Sequence, residues 1–545
     1  MRNPSVIRPM RYPFLLAIVS LGLSACSGSD HTSPTSGQVN VDGQVSAGSI
    51  GTVSYYQAAR FLEQASWGPT PTTIAEVQQL GIHGWIDRQF ALPPTTFNAP
   101  QFVINYDMNN QAQQRQAHGW LNTTFFDGAL GGADQLRQRV SWAFFNFIPI
   151  GGGPPAYGKV EYREMLQRNS LGNFKDLLRE VTLHPTMGVF LNNDQNEASR
   201  PNENYARELM QLFSVGLVLL NPDGTTKRDG RGAPLETYSQ QDVKEATRAL
   251  SGWQKQWETN LPQSNFGNFG KRMIAKSWDG AHDRGAKRVL GRDIPAGQSA
   301  EADLESLLDI LVDHPNTAPF VARRLIQSMV SSDPSPAYMT RISNVFVQTR
   351  GDIKAVVRAI LLDPEARAGD NPSLLNQRVG KIKEPLLSQT MVLRAMGCRI
   401  SVRDRNNPES PIWANQTPYE APSVFGYFAP NHKTAETLKA APEEKLLGAS
   451  EFNRRLQGMS WNLERPEQFR SAGCQIDVIE SAASQSDDAL ITFISERFMR
   501  GAMPPTLRLT MQTLLRERLS SEQPLIKFAT LMGIATGSAH GGVVR

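Results

Sequence analysis

The sequence predicts an all-α fold organised as one large helical body. Apolar residues recur at three- and four-residue spacing along most of the chain, which is the pattern of amphipathic helices. Runs of alternating β-branched residues, which would indicate strands, are nearly absent. The length of the chain favours two or more domains, yet no Gly/Ser-rich linker divides residues 53–545. We therefore expect a single body with three longer loops as insertions, at Asn221–Pro234, Asn260–Gly270 and Arg403–Pro422.

The first residues have the features of an export signal, predicted over residues 1–25. Three arginines precede the apolar run Phe14–Leu23, which is too short to span a membrane comfortably. Leu23-Ser-Ala-Cys26 then resembles a bacterial lipobox. The resemblance implies cleavage before Cys26 and acylation of Cys26, and more than one acyl chain would anchor the protein to a membrane. The alternative is an ordinary signal peptide with an incidental cysteine.

The residues after the lipobox bear on where the protein works. Ser27, not Asp, follows Cys26, and by the usual sorting pattern of lipoproteins this favours the outer membrane of a bacterial cell envelope. Residues 26–52 are rich in Ser, Gly and Thr and poor in large apolar residues. Such a segment cannot bury a core, so we predict a flexible tether. The helical domain is predicted over residues 53–545.

The net charge argues against a nucleic-acid partner, and the sequence does not decide whether Cys398 and Cys474 are paired. The formal net charge is +4, and the signal contributes three Arg and no acid, which leaves +1 (4 − 3) for residues 26–545. No run of Lys or Arg stands out, so we predict no nucleic-acid partner. Cys398 and Cys474 could form a disulfide in an oxidising compartment or remain two buried thiols.

Ten segments show helical periodicity, and local signals mark some of their ends. Ser239-Gln-Gln-Asp242 resembles a capping box, with Gly252 near the following stop. The loop Asn221–Tyr238 is predicted as a small hairpin insertion. The predicted helices are Ser54–Ala65, Thr72–Leu80, Gln135–Phe147, Asn173–Leu183, Asn202–Leu219, Gln240–Trp253, Glu301–Val312, Thr317–Val330, Ala337–Gln348 and Ile353–Leu362.

Two segments of the chain echo each other without gaps. Gly172–Pro185 aligns on Gly351–Pro364, with Gly, Lys, Arg, Leu and Pro matched and the apolar positions in agreement. Upstream, Arg139 and Arg323 fall at matching positions of a shorter pair of similar segments. These matches predict a duplicated helix pair. The alternative is two unrelated amphipathic helices that both stop before a proline.

A His-Pro dipeptide occurs twice, at His184 and His314, and in each case one predicted helix ends and another begins. A histidine at a helix C-terminus can bind the last carbonyls, and a positive charge is favoured there. We predict that structural role for both histidines.

The densest group of polar side chains lies in Pro201–Gly216. With Tyr205 at the centre of a buried stripe, the leucines and Phe213 that follow fall on the same side at helical spacing. Glu203 and Arg207 are four residues apart, in the order that favours an ion pair. Such a density at a helix start is either a structural polar cluster or a functional site.

The structural interpretation pairs this segment with arginines of the echo helices. Buried charges are normally paired, so Glu208 is predicted to bind Arg139 or Arg323, while Asn202 caps the helix. The predicted polar cluster comprises Asn202, Asn204, Arg207, Gln211, Arg139 and Arg323.

The functional interpretation assigns chemistry to the same segment. Glu203 or Glu208, held near His184, could act as a general acid or base, and two carboxylates across a cleft could hydrolyse a glycosidic bond. No Gly-x-Ser-x-Gly elbow or phosphate-binding glycine loop supports a nucleophile or nucleotide site. Whether the protein is an enzyme stays open.

A metal site is a third alternative. His282-Asp283 is a plausible pair of ligands in a loop, but His-Glu-x-x-His and paired Cys-x-x-Cys spacings do not occur. His282 is more often a loop residue that makes hydrogen bonds, and no cofactor is predicted. The aromatic, proline-broken stretch Pro418–Pro430 could line a groove for a sugar or a partner, or serve as a rigid connector.

A set of motifs, taken in order, resembles one bacterial family. The set covers the chain from about Tyr55 to near the C-terminus and resembles the family catalogued as domain of unknown function 1800. The motifs are Ala59–Thr70, Leu136–Arg139, Gly172–Phe174, Thr182–Gly188, Pro201–Leu209, Asp242-Val243, Gly252-Trp253, His282-Asp283, His314–Asn316 and Ala421–Phe425.

The resemblance implies an exported, mostly helical protein without an established reaction. Members of the family are often encoded beside an exported protein similar to the sulfatase and alkaline phosphatase superfamily, which suggests a partner. Relatives commonly carry an acid where this chain has Gln211 and another where it has Asn192. We therefore expect a lipid-anchored binding or assembly protein of the envelope; the alternative is an envelope hydrolase of glycans or esters that uses Glu203 or Glu208 with His184.

Overall fold

A computed structural model describes residues 53–258, 267–372, 380–402, 416–435, 438–453, 463 and 466–544. The predicted signal peptide 1–25, the tether 26–52 and the lipidation site Cys26 lie outside the described residues. Within them, helices pack around one large continuous apolar core, and strands are few and short. The prediction of a mostly helical body is confirmed.

The helices take the following bounds. The first half holds α1 (Tyr55–Ala65), α2 (Pro71–Ala91), α3 (Gln101–Ile104), α4 (Gln111–Gly131), α5 (Gln135–Phe145), α6 (Ala156–Asn169), α7 (Phe174–Leu183), α8 (Pro185–Phe190), α9 (Asn204–Glu208) and α10 (Gln240–Ala249). The second holds α11 (Ala300–Val312), α12 (Thr317–Met329), α13 (Pro336–Gln348), α14 (Ile353–Leu362), α15 (Pro364–Arg367), α16 (Pro385–Ala395), α17 (Glu467–Ser471), α18 (Ile476–Gln485), α19 (Asp487–Met499), α20 (Pro505–Arg518) and α21 (Pro524–Gly537).

Short antiparallel strand pairs connect some of these helices. β1 (Trp253–Gln254) pairs with β2 (Ile274–Ala275), β3 (Lys287–Val289) with β4 (Arg292–Ile294), and β5 (Lys381–Ile382) with β6 (Val543–Val544). These pairs were not predicted, because two or three residues are too few to show an alternating pattern.

Local signals explain several helix ends. Ser54 begins α1 with a capping box, and Ser239 and Asp242 do the same for α10, as predicted. Helix α2 continues past the predicted end at Leu80, but it breaks at Gly81, whose φ of 71° is readily adopted only by glycine. The predicted hairpin in Asn221–Tyr238 is confirmed by isolated antiparallel bridges, including Leu220 with Thr226.

The two echo segments contact each other in the fold. Phe174 N–H donates to Gly351 O at 2.9 Å, and Ile353 N–H donates to Gly172 O at 2.9 Å. Equivalent residues thus make equivalent bonds in opposite directions, the relation produced by a local two-fold axis. The upstream helices α5 and α12, which carry Arg139 and Arg323, also pack together. The two echo segments therefore meet at their matched glycines, Gly172 and Gly351.

The ends of the echo helices match in the same way. Thr186 N–H donates to His184 Nδ1 at 3.1 Å, and Glu365 N–H donates to the aligned Asp363 Oδ1 at 2.9 Å. Each side chain therefore caps the N-terminus of a short helix that starts with proline.

The predicted role of the His-Pro histidines is wrong. His184 does not bind the last carbonyls of α7; its ring accepts a hydrogen bond at the start of α8. His314 does likewise, with Asn316 N–H donating to its Nδ1 at 3.2 Å. Burial lowers the pKa of both imidazoles, that of His184 to about 3. The rings are therefore neutral, and each accepts a backbone hydrogen bond at its Nδ1.

Cys398 and Cys474 form a disulfide, which resolves the alternative that the sequence left open. The bond joins the residues after α16 to those before α18. The predicted loop insertions near residues 260–270 and 403–422 lie partly outside the described residues.

Candidate functional site

The segment Pro201–Gly216 is less regular than the predicted helix Asn202–Leu219. Helix α9 ends at Glu208, and a π-helix follows over Leu209–Ser214, in which Val215 N–H donates to Met210 O at 3.1 Å. Gly216, with φ of 76°, ends the segment. A π-turn inside a helix is rare and is often found at functional sites. A pattern search at 3.6 residues per turn does not detect it.

The inner face of this segment is packed as predicted. Tyr205 is fully buried, and its hydroxyl lies 2.7 Å from Thr182 Oγ1 at the end of α7. Leu209 and Phe213 are buried beside it. The apolar stripe therefore fixes which side chains of α9 face outward.

The outer face carries the predicted ion pair. Arg207 donates to Glu203 Oε2 at 2.9 Å, and both side chains are about one-third exposed, at 39% and 34%. Gln240 joins them from the start of α10, because its Nε2 donates to Glu203 Oε2 at 2.9 Å and its Oε1 accepts from Arg207 at 3.1 Å. An exposed pair of this kind contributes little to stability.

Asparagines organise the start of α9. Asn202 Oδ1 accepts from Asn204 N–H at 3.1 Å, but the residue at the N-cap is Glu203, so Asn202 lies one residue before the position that the prediction gave it. Asn204 in turn donates to Asn192 Oδ1 at 3.2 Å. Asn192 adopts a left-handed backbone with φ of 59°, which asparagine tolerates better than most residues.

Glu208 does not make the predicted ion pair. It binds neither Arg139 nor Arg323, and its half-buried carboxyl has an oxygen, Oε2, without a hydrogen-bond partner among the described residues. Burial raises the pKa of Glu208, and Arg207 only partly offsets this.

The two arginines are engaged elsewhere. Arg139 is fully buried, donates to Ser328 O, and lies over the ring of Trp67 at 5.8 Å. Arg323 donates to Gly224 O in the hairpin loop. The predicted polar cluster is therefore divided, because Arg139 binds α12 in the core and Arg323 binds the hairpin loop rather than α9.

The surface beside Glu208 mixes polar and apolar groups. Tyr238 donates its hydroxyl hydrogen to Gln211 Oε1 at 3.3 Å. Leu217 and Leu235 lie on adjacent backbone segments and are 55% and 38% exposed. We define the polar-helix surface as Glu203, Arg207, Glu208, Gln211, Leu217, Leu235 and Tyr238.

His184 lies away from this surface. It is buried, and its ring packs edge-on against Tyr162 with the ring centres 5.2 Å apart. No hydrogen bond or ion pair joins it to Glu203 or Glu208 in the described part of the chain. The predicted acid–base combination with His184 is therefore not assembled in this structure.

His282 and Asp283 are both occupied by protein groups. His282 Nε2 lies 3.1 Å from the buried Asp303, and its Nδ1 lies 2.9 Å from Ser251 O. Asp283 binds Arg248 through both oxygens. Across the residues that the structure describes, no three or more His, Cys, Asp or Glu side chains are grouped to hold a metal ion. The contacts of His282 are those of a hydrogen-bonded loop residue.

A group of buried charges that the sequence did not predict flanks β5. Lys383 binds Glu63 Oε1 at 3.0 Å, and Arg500 binds Glu63 Oε2 at 2.7 Å, all three side chains being at most 5% exposed. Burial alone would raise the pKa of Glu63. Arg500 and Lys383 lower it by a larger amount, so the pKa lies below its ordinary value. We call these three residues the Glu63 triad.

The same short segment carries two more buried charges. Lys381 binds Glu443 at 2.9 Å and donates to Ser328 O at 2.8 Å. Glu384 accepts from Trp142 Nε1 at 2.9 Å and from Gln416 at 2.8 Å. The only sequence signal was Lys-Ile-Lys-Glu before a proline, which does not by itself distinguish a buried segment from a solvated one.

Comparison with known proteins identifies a family but no characterised relative. No curated protein matches the chain, and no solved structure does. A family described as "Protein of unknown function (DUF1800)" matches residues 60–536, which is most of the chain. The resemblance seen in the motifs is thereby confirmed, and the chain belongs to the DUF1800 family.

Proposed function

We propose that this protein is a lipid-anchored member of the bacterial envelope that binds another exported protein through its polar-helix surface. The observation that carries the binding role is the pair of exposed leucines, Leu217 and Leu235, which lie on adjacent backbone segments just after the polar helix and are 55% and 38% exposed. Protein interfaces combine such an apolar centre with a polar rim. A partner that covers the two leucines would remove this apolar area from water.

Two observations support an envelope location. The lipobox-like Leu23–Cys26 precedes the body, and Cys398 and Cys474 are joined in a disulfide. Disulfides persist in oxidising compartments and are rare in the cytosol of most organisms. None of the described helices combines the length and the apolar character that a bilayer crossing requires. Anchoring is therefore assigned to acyl chains on Cys26, with the outer membrane as the destination favoured by Ser27.

The partner is a folded exported protein, for which an alkaline-phosphatase-like or sulfatase-like protein is the first candidate. Its contact face would carry apolar side chains opposite Leu217 and Leu235. The ion pair of Glu203 and Arg207 would lie at the rim, where exposed charges contribute mainly to specificity.

The experiment is a comparison of three full-length lipoproteins purified from detergent-solubilised membranes. Leu217→Arg disrupts the apolar centre, and Leu509→Arg is a matched control on α20, since Leu509 is 64% exposed. We expect one exported protein to co-purify with the wild type and with Leu509→Arg, and to be lost with Leu217→Arg. Equal recovery with all three, or no partner with any, would contradict the proposal.

Lipid anchoring is tested separately by Cys26→Ser. The variant lacks the thiol that receives the first acyl chain, so it should leave the sedimented membranes and appear in the soluble fraction. Retention of the variant in washed membranes would refute anchoring through Cys26.

A hydrolase remains a second candidate, favoured by one observation. The raised pKa of Glu208 would suit a general acid, which must hold its proton near neutral pH. His184, the base expected beside it, is absent from this surface. Hydrolysis of model glycosides or esters that is abolished by Glu208→Gln would support this candidate over binding alone.

A further inference from the structure

A second histidine outside the polar-helix surface has the arrangement of a general base. His118 lies on α4, its side chain is 33% exposed, and its Nδ1 is 3.0 Å from Glu420 Oε1. A carboxylate at this distance accepts the Nδ1 hydrogen, which places the lone pair of the neutral ring on Nε2. Nε2 makes no hydrogen bond to any residue that the structure describes.

Glu420 is itself held as a carboxylate. Its Oε1 also accepts from Lys159 Nζ at 2.5 Å, and the Lys159 side chain is only 3% exposed. Burial alone would raise the pKa of Glu420. The hydrogen bond from His118 and the charge of Lys159 lower it by a larger amount, so the pKa lies below its ordinary value. The order Lys159, Glu420, His118 thus runs from the interior to the surface. In this arrangement His118 would be the base, and its ring is oriented by Glu420, which is held in turn by Lys159.

The backbone around Glu420 is constrained. Tyr419 is buried and adopts a left-handed conformation with φ of 56°. A bulky residue rarely adopts this conformation, and such strain concentrates at functional sites. Tyr427 closes the turn, because its hydroxyl binds Thr417 O and accepts from Glu420 N–H at 3.4 Å. This turn belongs to the aromatic, proline-broken stretch Pro418–Pro430.

A glycine loop lies alongside the same turn. Ala421 N–H donates to Ile150 O at 3.2 Å, and Gly151 forms a parallel bridge with Ala421. Gly152 and Gly153 follow, both exposed, and a Cβ built on either would meet no atom within 4 Å. Their N–H groups donate to no acceptor among the described residues. The bridge to Ala421 therefore places this exposed loop next to the backbone that carries Glu420.

We propose that His118, Glu420 and Lys159 form a hydrolytic site for esters, with the Gly152 and Gly153 N–H groups as donors to the ester carbonyl oxygen. His118 is the catalytic residue, and Glu420 and Lys159 are positioning residues. This site is independent of the binding surface around Glu208, and it places the base of a hydrolase at His118 rather than at His184.

The reaction needs only water. His118 Nε2 takes a proton from water as the water oxygen forms a bond to the carbonyl carbon, and the carbonyl electron pair moves to the oxygen near Gly152 and Gly153. When the tetrahedral adduct collapses, the bond to the alcohol oxygen breaks, and His118 returns its proton to that oxygen. The products are a carboxylic acid and an alcohol.

The first test compares hydrolysis of p-nitrophenyl acetate by the full-length protein and two histidine variants. His118→Ala removes the proposed base, and His83→Ala is the matched control, since His83 is exposed and forms no ion pair with a carboxylate among the described residues. We expect a loss of about 100-fold for His118→Ala, in the range of general-base catalysis, and none for His83→Ala. Equal rates for the wild type and His118→Ala, or equal losses for the two variants, would overturn the proposal.

A second test reads the positioning role directly. Diethyl pyrocarbonate modifies unprotonated imidazole, and mass spectrometry reports the rate at His118. Oriented by Glu420, Nε2 should react several-fold faster than it does in Glu420→Gln, with the rate partly restored in Glu420→Asp. If the ion pair were purely structural, Glu420→Gln should make His118 react faster with diethyl pyrocarbonate, because loss of the pair would free the ring. A faster reaction in Glu420→Gln would therefore contradict the proposal even if the variant were less stable.

Discussion

The polar-helix surface and the Glu63 triad place similar side chains in opposite situations. Around α9, Glu203 and Arg207 are four residues apart in the sequence and about one-third exposed, while Glu208 is half-buried and has no ion-pair partner among the described residues. In the triad, a fully buried carboxylate meets two cations. The polar residues that cluster in one segment, around α9, thus lie at the surface. The charged residues of the buried triad come from positions far apart in the chain.

The difference teaches which charges hold the fold and which are available to a partner. A buried ion pair is costly to break, because removal of one member leaves an uncompensated charge inside the protein. An exposed pair contributes about 0–1 kcal/mol. We therefore expect substitutions in the triad to act on stability, and substitutions on the polar-helix surface to act on binding.

The largest effect is expected for Glu63→Gln. It leaves Lys383 and Arg500 buried without a carboxylate, so the free energy of unfolding should fall by about 3–5 kcal/mol. Urea denaturation of the full-length protein measures it. A loss below about 1 kcal/mol would place the triad in the same class as the surface pair and remove the contrast.

The next effect is expected from the disulfide, which lies just beyond the helix that follows the buried charges. Replacement of Cys398 and Cys474 by serine frees a loop with a sequence separation of 76 residues. The expected loss in unfolding free energy is about 2–5 kcal/mol. If the double variant unfolds together with the wild type, the cross-link does not contribute to this region, and the stability of the core rests on the charges and packing.

A smaller effect is expected in the way the contributions of Glu208 and Glu63 to the unfolding free energy change with pH, since the two should change in opposite directions. The folded pKa of Glu208 is raised above the ordinary value of 4.5, so its contribution to stability is full below pH 4.5 and is lost as the pH rises through the folded pKa. The folded pKa of Glu63 is lowered, so its contribution is present above pH 4.5 and is lost as the pH falls.

The measurement is the difference in unfolding free energy between each glutamine variant and the wild type, followed from pH 7 to pH 3. The penalty of Glu63→Gln should shrink toward acid. Glu208→Gln should stabilise the protein slightly near pH 7, and that gain should disappear toward pH 4. Parallel curves for the two variants would show that their surroundings do not differ.

The smallest effect is expected for Glu203→Gln. The side chain is about one-third exposed and shares its contacts with Arg207 and Gln240, so stability should change by less than about 1 kcal/mol. Salt should reduce even this difference, because exposed charges are screened. A loss comparable to that of Glu63→Gln would show that the surface pair is a structural element.

Local features of this fold could be predicted from the sequence, and distant pairings could not. The helix pattern, the capping box at Ser239, the echo of Gly172 with Gly351, and the ion pair of Glu203 with Arg207 are all set by spacing within a few turns or by repetition. Each depends on neighbours that can be read from one segment.

The remaining features depend on residues far apart in the chain. Lys383 and Glu63 are 320 residues apart, and Lys159 and Glu420 are 261 apart. Nothing in either local sequence indicates the partner. The π-helix after Glu208 escaped detection because it keeps apolar residues inward while changing the turn, so the periodic pattern continues across it.

A pair of double-mutant cycles tests the central contrast most directly. One cycle combines Glu63→Gln with Lys383→Met, and the other combines Glu203→Gln with Arg207→Met, each read as unfolding free energy. We expect a coupling energy of about 2–3 kcal/mol for the buried pair and below about 0.5 kcal/mol for the exposed pair. Couplings of equal size in the two cycles would contradict the division between charges that hold the core and charges left to a partner.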